Sequence, residues 1–337
     1  MAEAPSPWRE VLEREVGKLS RRDDVLAVGL CGSVSYGDLW PGADLDIEVV
    51  LRGDKPRKII TTEQEISVDY GYFGETVIKD IPYETRPIYD PRRVLTNELA
   101  SRVKSLVIRN ALEDSLTRAR SYIVRSNGAL SRDPFSALAW TIVASWPLAE
   151  VFTLASGEHR THRRLVSRLE RGMDKIGRRG LFQEYCRLLN FPQTLTRAPD
   201  LLSALQIGYR EIWNYFKGKP DGPVYMVQQP DSEAWFKNRI LPVYEYDKRD
   251  LVSLVYVEFL FILSFVFRTS GYERAPDAFL LDAAKFKGPP SQWATRYEDV
   301  LKFIPADTVS EVLHCAEDLM QQAELMAKPW TKASNDG

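Results

Sequence analysis

Between residues 31 and 50 the chain reads CGSVSYGDLWPGADLDIEVV, and this stretch carries the side chains best placed for chemistry. Gly32 and Ser33 end an apolar run, VLAVGLC. A glycine-serine turn of this kind offers backbone N–H groups and a hydroxyl to an anion. Ten residues further on, Asp44 and Asp46 flank Leu45. On a strand, alternate residues share a face, so both carboxylates point one way while Leu45 points into a core. Carboxylates that close repel each other. A hard dication such as magnesium relieves the repulsion and accepts phosphate oxygens as further ligands. In EISVDYGYF, Ser67, Asp69 and Gly71 alternate with Ile66, Val68 and Tyr70. If that strand neighbours DLDIEVV, Asp69 completes a three-carboxylate cluster; in a different register Glu63, Glu65 or Glu75 would take its place. Two metals held by such a cluster suit nucleotidyl transfer, where one oxygen attacks and another departs.

The elements that must position these groups follow from periodicity. Trp8 to Leu19 has apolar residues at helical spacing, and VLAVGLCGS, DLDIEVVL and EISVDYGYF read as three strands of a small α/β unit. From Glu98 onward the texture is that of helices, in VKSLVIRNALEDSL, in FSALAWTIVASWPLAEVFTLA, from Leu251 to Phe267 and from Thr308 to Met326. The expected fold class is α+β: a small mixed-sheet core, residues 1–97, followed by a large helical domain, residues 98–337, with a loop-like subdivision near 218–223, GKPDGP.

Residues 31–50 resemble the signature of the DNA polymerase beta-like nucleotidyltransferase superfamily: Gly-Ser, ten residues, Asp-x-Asp, then a third acid on a later strand. The resemblance implies that Gly32 and Ser33 bind the phosphates of a nucleoside triphosphate, ATP among the candidates. It implies that Asp44 and Asp46 ligate magnesium, with two ions in the site, and that Asp69 is a third ligand or a base toward the acceptor hydroxyl. IYDPRRVL, residues 88–95, is similar to a segment that often follows this core in bacterial members. Ala43 stands where many members have serine or threonine, a departure that removes no ligand. A catalytic domain followed by helices resembles aminoglycoside nucleotidyltransferases, which implies a small-molecule, antibiotic-like acceptor bound by the helical domain. Transfer to tRNA or protein, as in toxin-like members, is the alternative, and a non-catalytic binding protein on the same fold is a third reading.

Composition bounds the rest. Forty-five basic and forty-seven acidic residues give a net charge of -2, unlike a surface shaped throughout for nucleic acid. Cys31, Cys186 and Cys315 are scattered with no metal-ligand spacing, as in a reduced, cytoplasmic protein. The N-terminus lacks a signal-peptide pattern, and the apolar Leu251–Phe267 run, interrupted by Glu258, reads as a core helix; no membrane association is expected. Glu150, inside an apolar helix, is either paired with an arginine or aimed at an acceptor hydroxyl. In the basic run 159–179, Arg160, Arg163, Arg164, Arg168 and Arg171 either face phosphates or pair with acids, and His159 and His162 lack a third metal ligand.

Overall fold

The computed structural model describes residues 6–37, 40–53, 57–63, 66–82, 84–102, 104–159, 163–228, 231–304 and 309–332. The fold is α+β, a five-stranded mixed sheet with a larger helical part. Contacts divide the chain into two compact units, Met1–Val107 with Gln228–Pro242, and Ile108–Val227 with Val243–Gly337. The division therefore falls near 107 rather than 97, and a late segment, 228–242, returns to the sheet. That return has a chemical reason: the Gln228 amide accepts from Ile60 N–H (3.1 Å) and donates to Lys58 C=O (2.7 Å), matching the unpaired backbone of an edge strand.

In the first unit the strands are β1 (Val25–Cys31), β2 (Leu45–Leu51), β3 (Arg57–Glu63), β4 (Ile66–Gly74) and β5 (Arg86–Tyr89). Their spatial order is β3-β4-β2-β1-β5, with β2 and β4 parallel and every other pair antiparallel. Sequence periodicity identified three of these five. β3 and β5, at the two edges, carry charged or proline-containing sequences that blur the alternation.

Side-chain alternation divides the sheet into two faces. On one, Leu45, Ile47 and Val49 are buried, and the Ser6–Leu19 helix adds Val11 and a Glu15 carboxylate that accepts from the Tyr70 hydroxyl at 2.6 Å. The other face changes character along its length. At one end Ala27 and Val50 pack with Leu26, Ile81 and Leu95, and Phe73 joins them; at the other lie Asp44, Asp46, Glu48, Ser67 and Asp69. In IYDPRRVL, Asp90 Oδ2 accepts from both the N–H and the hydroxyl of Thr96 (2.7 Å each), anchoring the Val94–Ser101 helix beside this core.

The second unit is helical. Two of its helices, Pro134–Ala155 and Lys248–Thr269, are long and apolar enough to cross a membrane, but all of the most apolar window of the first and 72% of that of the second are buried inside the structure. That is the pattern of central core helices. Glu258, within the second, accepts from the hydroxyls of Tyr209 (2.6 Å) and Tyr225 (3.3 Å).

Candidate metal and nucleotide site

The parallel pairing of β2 with β4 sets Asp46 directly beside Asp69, and Glu48 beside Gly71. Asp44, two residues before Asp46, lies on the same face just before β2 begins. One oxygen from each of Asp44, Asp46 and Asp69 lies within 4.8 Å of the others. Asp44 and Asp46 are partly exposed, whereas Asp69 is buried. Among the acids weighed as alternatives to Asp69, Glu75 starts a turn of 3-10 helix beyond β4 and Glu65 lies outside the described residues. The structure thus brings together the three carboxylates read from the sequence.

Gly32 and Ser33 follow β1 in a single helical turn, Gly32–Ser35. β1 is the other neighbour of β2, and its last residue, Cys31, pairs with Asp46, so the turn is placed against the same acids. Gly32 has φ +69, and a Cβ there would collide with the Asp46 carboxylate. Glycine is therefore required twice, by its backbone conformation and by the closeness of the acid. Beyond the turn, Asp38 lies outside the described residues. The chain re-enters through Trp40–Ala43, where Gly42 is pressed against Trp40 and Pro242, and Trp8 Nε1 donates to Ala43 C=O at 2.9 Å. These contacts fix the approach to Asp44. Ala43 itself is buried.

Three groups at the site were not singled out from sequence. The first is Arg239, at the end of the Ser232–Arg239 helix and 1% exposed. Its guanidinium donates to Asp44 Oδ2, Asp69 Oδ1 and the Ser67 hydroxyl, and it lies 4.8 Å from the Trp235 ring centroid. Burial pulls its pKa down, but Asp44 and Asp69 more than offset this, so the net shift is upward and the cation is held firmly. The second is Lys58 on β3, whose ammonium is 3.5 Å from Asp69 Oδ2. The third is Glu48, on the same face as Asp46. Burial raises its pKa, opposed by a hydrogen bond from Cys31 Sγ (3.2 Å) and by Lys58. Its Oε2 is buried with no hydrogen-bond partner, and Gly71 leaves it room, since a Cβ there would strike it. Burial, then Asp46 and Glu48, push the Cys31 thiol far above its usual range, so it is not a nucleophile.

Beside the acids opens a cavity of about 440 Å³ whose lining includes Asp46, Glu48, Lys58, Asp69 and Asp80. Asp69 is matched by Arg239 and Lys58, and burial favours the protonated form of Glu48, so the excess of negative charge on the wall comes from Asp46 and Asp80, a setting for a cation. Carboxylates alone would repel a triphosphate, so phosphate binding here needs a bound cation.

The remaining sequence candidates resolve differently. Glu150 is 1% exposed and accepts from Arg118 (2.5 Å), Ser115 (3.0 Å) and Trp146 (3.3 Å). Of the two readings of Glu150, the structure matches the acid paired with an arginine rather than the acid turned toward an acceptor: in an apolar helix the carboxylate is tolerated because it is paired. In the basic run, Arg168 and Arg171 pair with Glu158 at 3.2 and 3.6 Å, and Arg164 donates to the Tyr246 hydroxyl at 2.9 Å. Arg160 and His162 lie outside the described residues.

No protein-family model and no curated protein matches the chain. Among solved structures it is similar to a nucleotidyltransferase-like protein from Exiguobacterium sibiricum 255-15, at 12% identity, over 79% of this chain and 81% of that one, with a TM-score of 0.32. A likeness of that score carries no weight for fold or function, which leaves the weight on the arrangement of Gly32, Asp44, Asp46, Asp69 and Arg239.

Proposed function

We propose that this chain is a magnesium-dependent nucleotidyltransferase that moves a nucleoside monophosphate from a nucleoside triphosphate to a hydroxyl of a small-molecule acceptor, releasing pyrophosphate. The observation that carries the reading is the convergence of the Asp44, Asp46 and Asp69 oxygens within 4.8 Å, against the Gly32–Ser33 turn. The donor set fits the metal. Asp44, Asp46 and Asp69 would hold the cation, their oxygens converging within 4.8 Å of one another. All donors are hard oxygens, and no thiol or imidazole belongs to the trio. When bound, the cation supplies charge neutralisation for the triphosphate and for the pyrophosphate that leaves.

The protein's own groups divide the remaining work. The Ser33 hydroxyl donates to a phosphate oxygen, and Gly32, lacking a side chain, lets that oxygen come close to the backbone. Arg239 pairs with Asp44 and Asp69 and balances their charge while no cation is bound. Asp69 either completes that set or takes the proton of the acceptor hydroxyl. The excess of negative charge on the wall, from Asp46 and Asp80, favours a small neutral or cationic acceptor over a polyanionic strand.

The test is incubation of the full chain with magnesium and each of the four α-labelled ribonucleoside triphosphates, together with a small-molecule extract, cell RNA and protein. Pyrophosphate release, with label moving onto the small-molecule fraction, is the expected result. Label retained on RNA or protein would select the macromolecular alternative. Release no greater than that of an Asp44→Asn, Asp46→Asn double variant would end the enzymatic reading.

A further inference from the structure

The helical unit contains a second concave site, unrelated to the acid cluster. It is a cavity of about 360 Å³ lined by four arginines, Arg118, Arg125, Arg268 and Arg274, and by one acid, Glu273. Helical spacing builds it. Arg118, Tyr122 and Arg125 recur on one face of the Lys104–Ala129 helix, and Leu260, Ser264 and Arg268 on one face of the Lys248–Thr269 helix. The loop after the second helix adds residues 273–275.

The charge of Arg118 is already matched, by Glu150 at 2.5 Å and Asp114 at 3.0 Å. Among the described residues no carboxylate lies within ion-pair distance of the other three, Arg125, Arg268 and Arg274, although Asp277 acts on Arg125 from farther off. Arg125 is half-buried, stacked 4.7 Å from the Trp140 ring centroid, and it donates to Ala275 C=O at 2.8 Å. That stacking fixes a planar donor fork in place without using up its N–H groups. Burial, and then Arg274, pull its guanidinium below the ordinary value, opposed by Asp277 and Tyr122. Like charges gathered at a half-buried position destabilise the fold unless an anion offsets them.

We propose that this cavity binds the phosphate group of a phosphorylated small molecule. Three guanidiniums against Glu273 in the lining and Asp277 near Arg125 leave a net positive charge, which the phosphate of a monoester offsets. The forked donors of arginine suit its oxygens, and Ser121 and Tyr122 line the same cavity. A pocket of this volume takes one small ligand. Continuous nucleic-acid binding would instead need an extended basic stripe.

The experiment is calorimetric titration of the full chain, without divalent cation and at constant ionic strength held with chloride. The titrants are inorganic phosphate, glycerol 3-phosphate and a short oligoribonucleotide. Glycerol 3-phosphate should bind at one equivalent and more tightly than inorganic phosphate. Loss of one charged donor pair in Arg125→Gln or Arg274→Gln should weaken it about tenfold. Ser33→Ala should leave it unchanged, which separates this site from the nucleotide site. Arg274 is exposed, so its variant reads binding without a folding effect. Absence of saturable binding, equal affinity for the two phosphates, unchanged affinity in Arg274→Gln, or tighter binding of the oligonucleotide would each overturn the proposal.

Discussion

Replacing Arg239 by methionine keeps most of its volume and removes its charge. The side chain is 2% exposed and bridges Asp44 and Asp69. Its loss leaves Asp44 and Asp69 facing each other, with the exposed Lys58 still beside Asp69. Removing one partner from a buried ion pair costs about 3–5 kcal/mol, and the partial exposure of Asp44 argues for the lower half of that range. Urea unfolding of wild type and Arg239→Met without divalent cation should therefore differ by about 3 kcal/mol, read at unchanged slope. Magnesium supplies the missing charge. At a hundredfold excess over its dissociation constant a ligand adds about 2.7 kcal/mol. The variant, whose acids are relieved of competition from the guanidinium, should gain more from magnesium than wild type gains. A destabilisation below about 0.5 kcal/mol, no larger than an ordinary surface substitution, would show that Arg239 is not the counter-charge of the cluster. An equal gain from magnesium in both proteins would show that arginine and metal do not share the same carboxylates.

Two further outcomes follow from single positions. Gly32→Ala places a side chain at φ +69 against the Asp46 carboxylate; it should cost about 1–2 kcal/mol in backbone strain and lower manganese affinity measured by electron paramagnetic resonance, and unaltered metal binding would separate the turn from the acids. Asp250 is buried, and burial raises its carboxyl to about 7 from 3.8, although Val166 N–H and the Ser167 hydroxyl and N–H all donate to it. A carboxyl whose pKa is raised in the folded state stabilises the fold fully below the unfolded value, and that contribution is lost as pH rises to the folded one. Stability should thus fall between about pH 4 and pH 7, by at most about 4 kcal/mol from this group. Asp250→Asn keeps an acceptor oxygen and should flatten that slope in thermal unfolding across the window; an unchanged slope would refute the assignment.

The part of the site that could be read from sequence is the part written locally. Asp44 and Asp46 flank a buried leucine, and Asp69 alternates with Val68 and Tyr70, so period-two spacing alone assigned their faces. What set Asp46 beside Asp69 was a parallel pairing across an intervening strand. β3, RKIITTE, gave little warning of itself, because an edge strand tolerates charge where a central one does not. Arg239 left no trace in the motif: it ends an ordinary amphiphilic helix far along the chain, and nothing in its neighbours marks it as a partner of carboxylates. Glu48 was visible as an acid in a strand, but its burial depends on Gly71 opposite, a fact of register. Glu150 shows the reverse case. An acid in an apolar helix signals a partner, and only the fold could choose between Arg118 and a bound molecule.

The lateness of Arg239 in the chain has a consequence for synthesis. It follows Asp69 by 170 residues and Asp44 by 195. As the polypeptide leaves the ribosome, the sheet strands emerge long before the guanidinium that will balance their acids. The nascent sheet must meanwhile hold three neighbouring carboxylates with Lys58 as the nearby cation, a state that free divalent ions or protons would favour. Completion of the first unit therefore waits on translation of most of the second, which ties the order of folding to the order of manufacture.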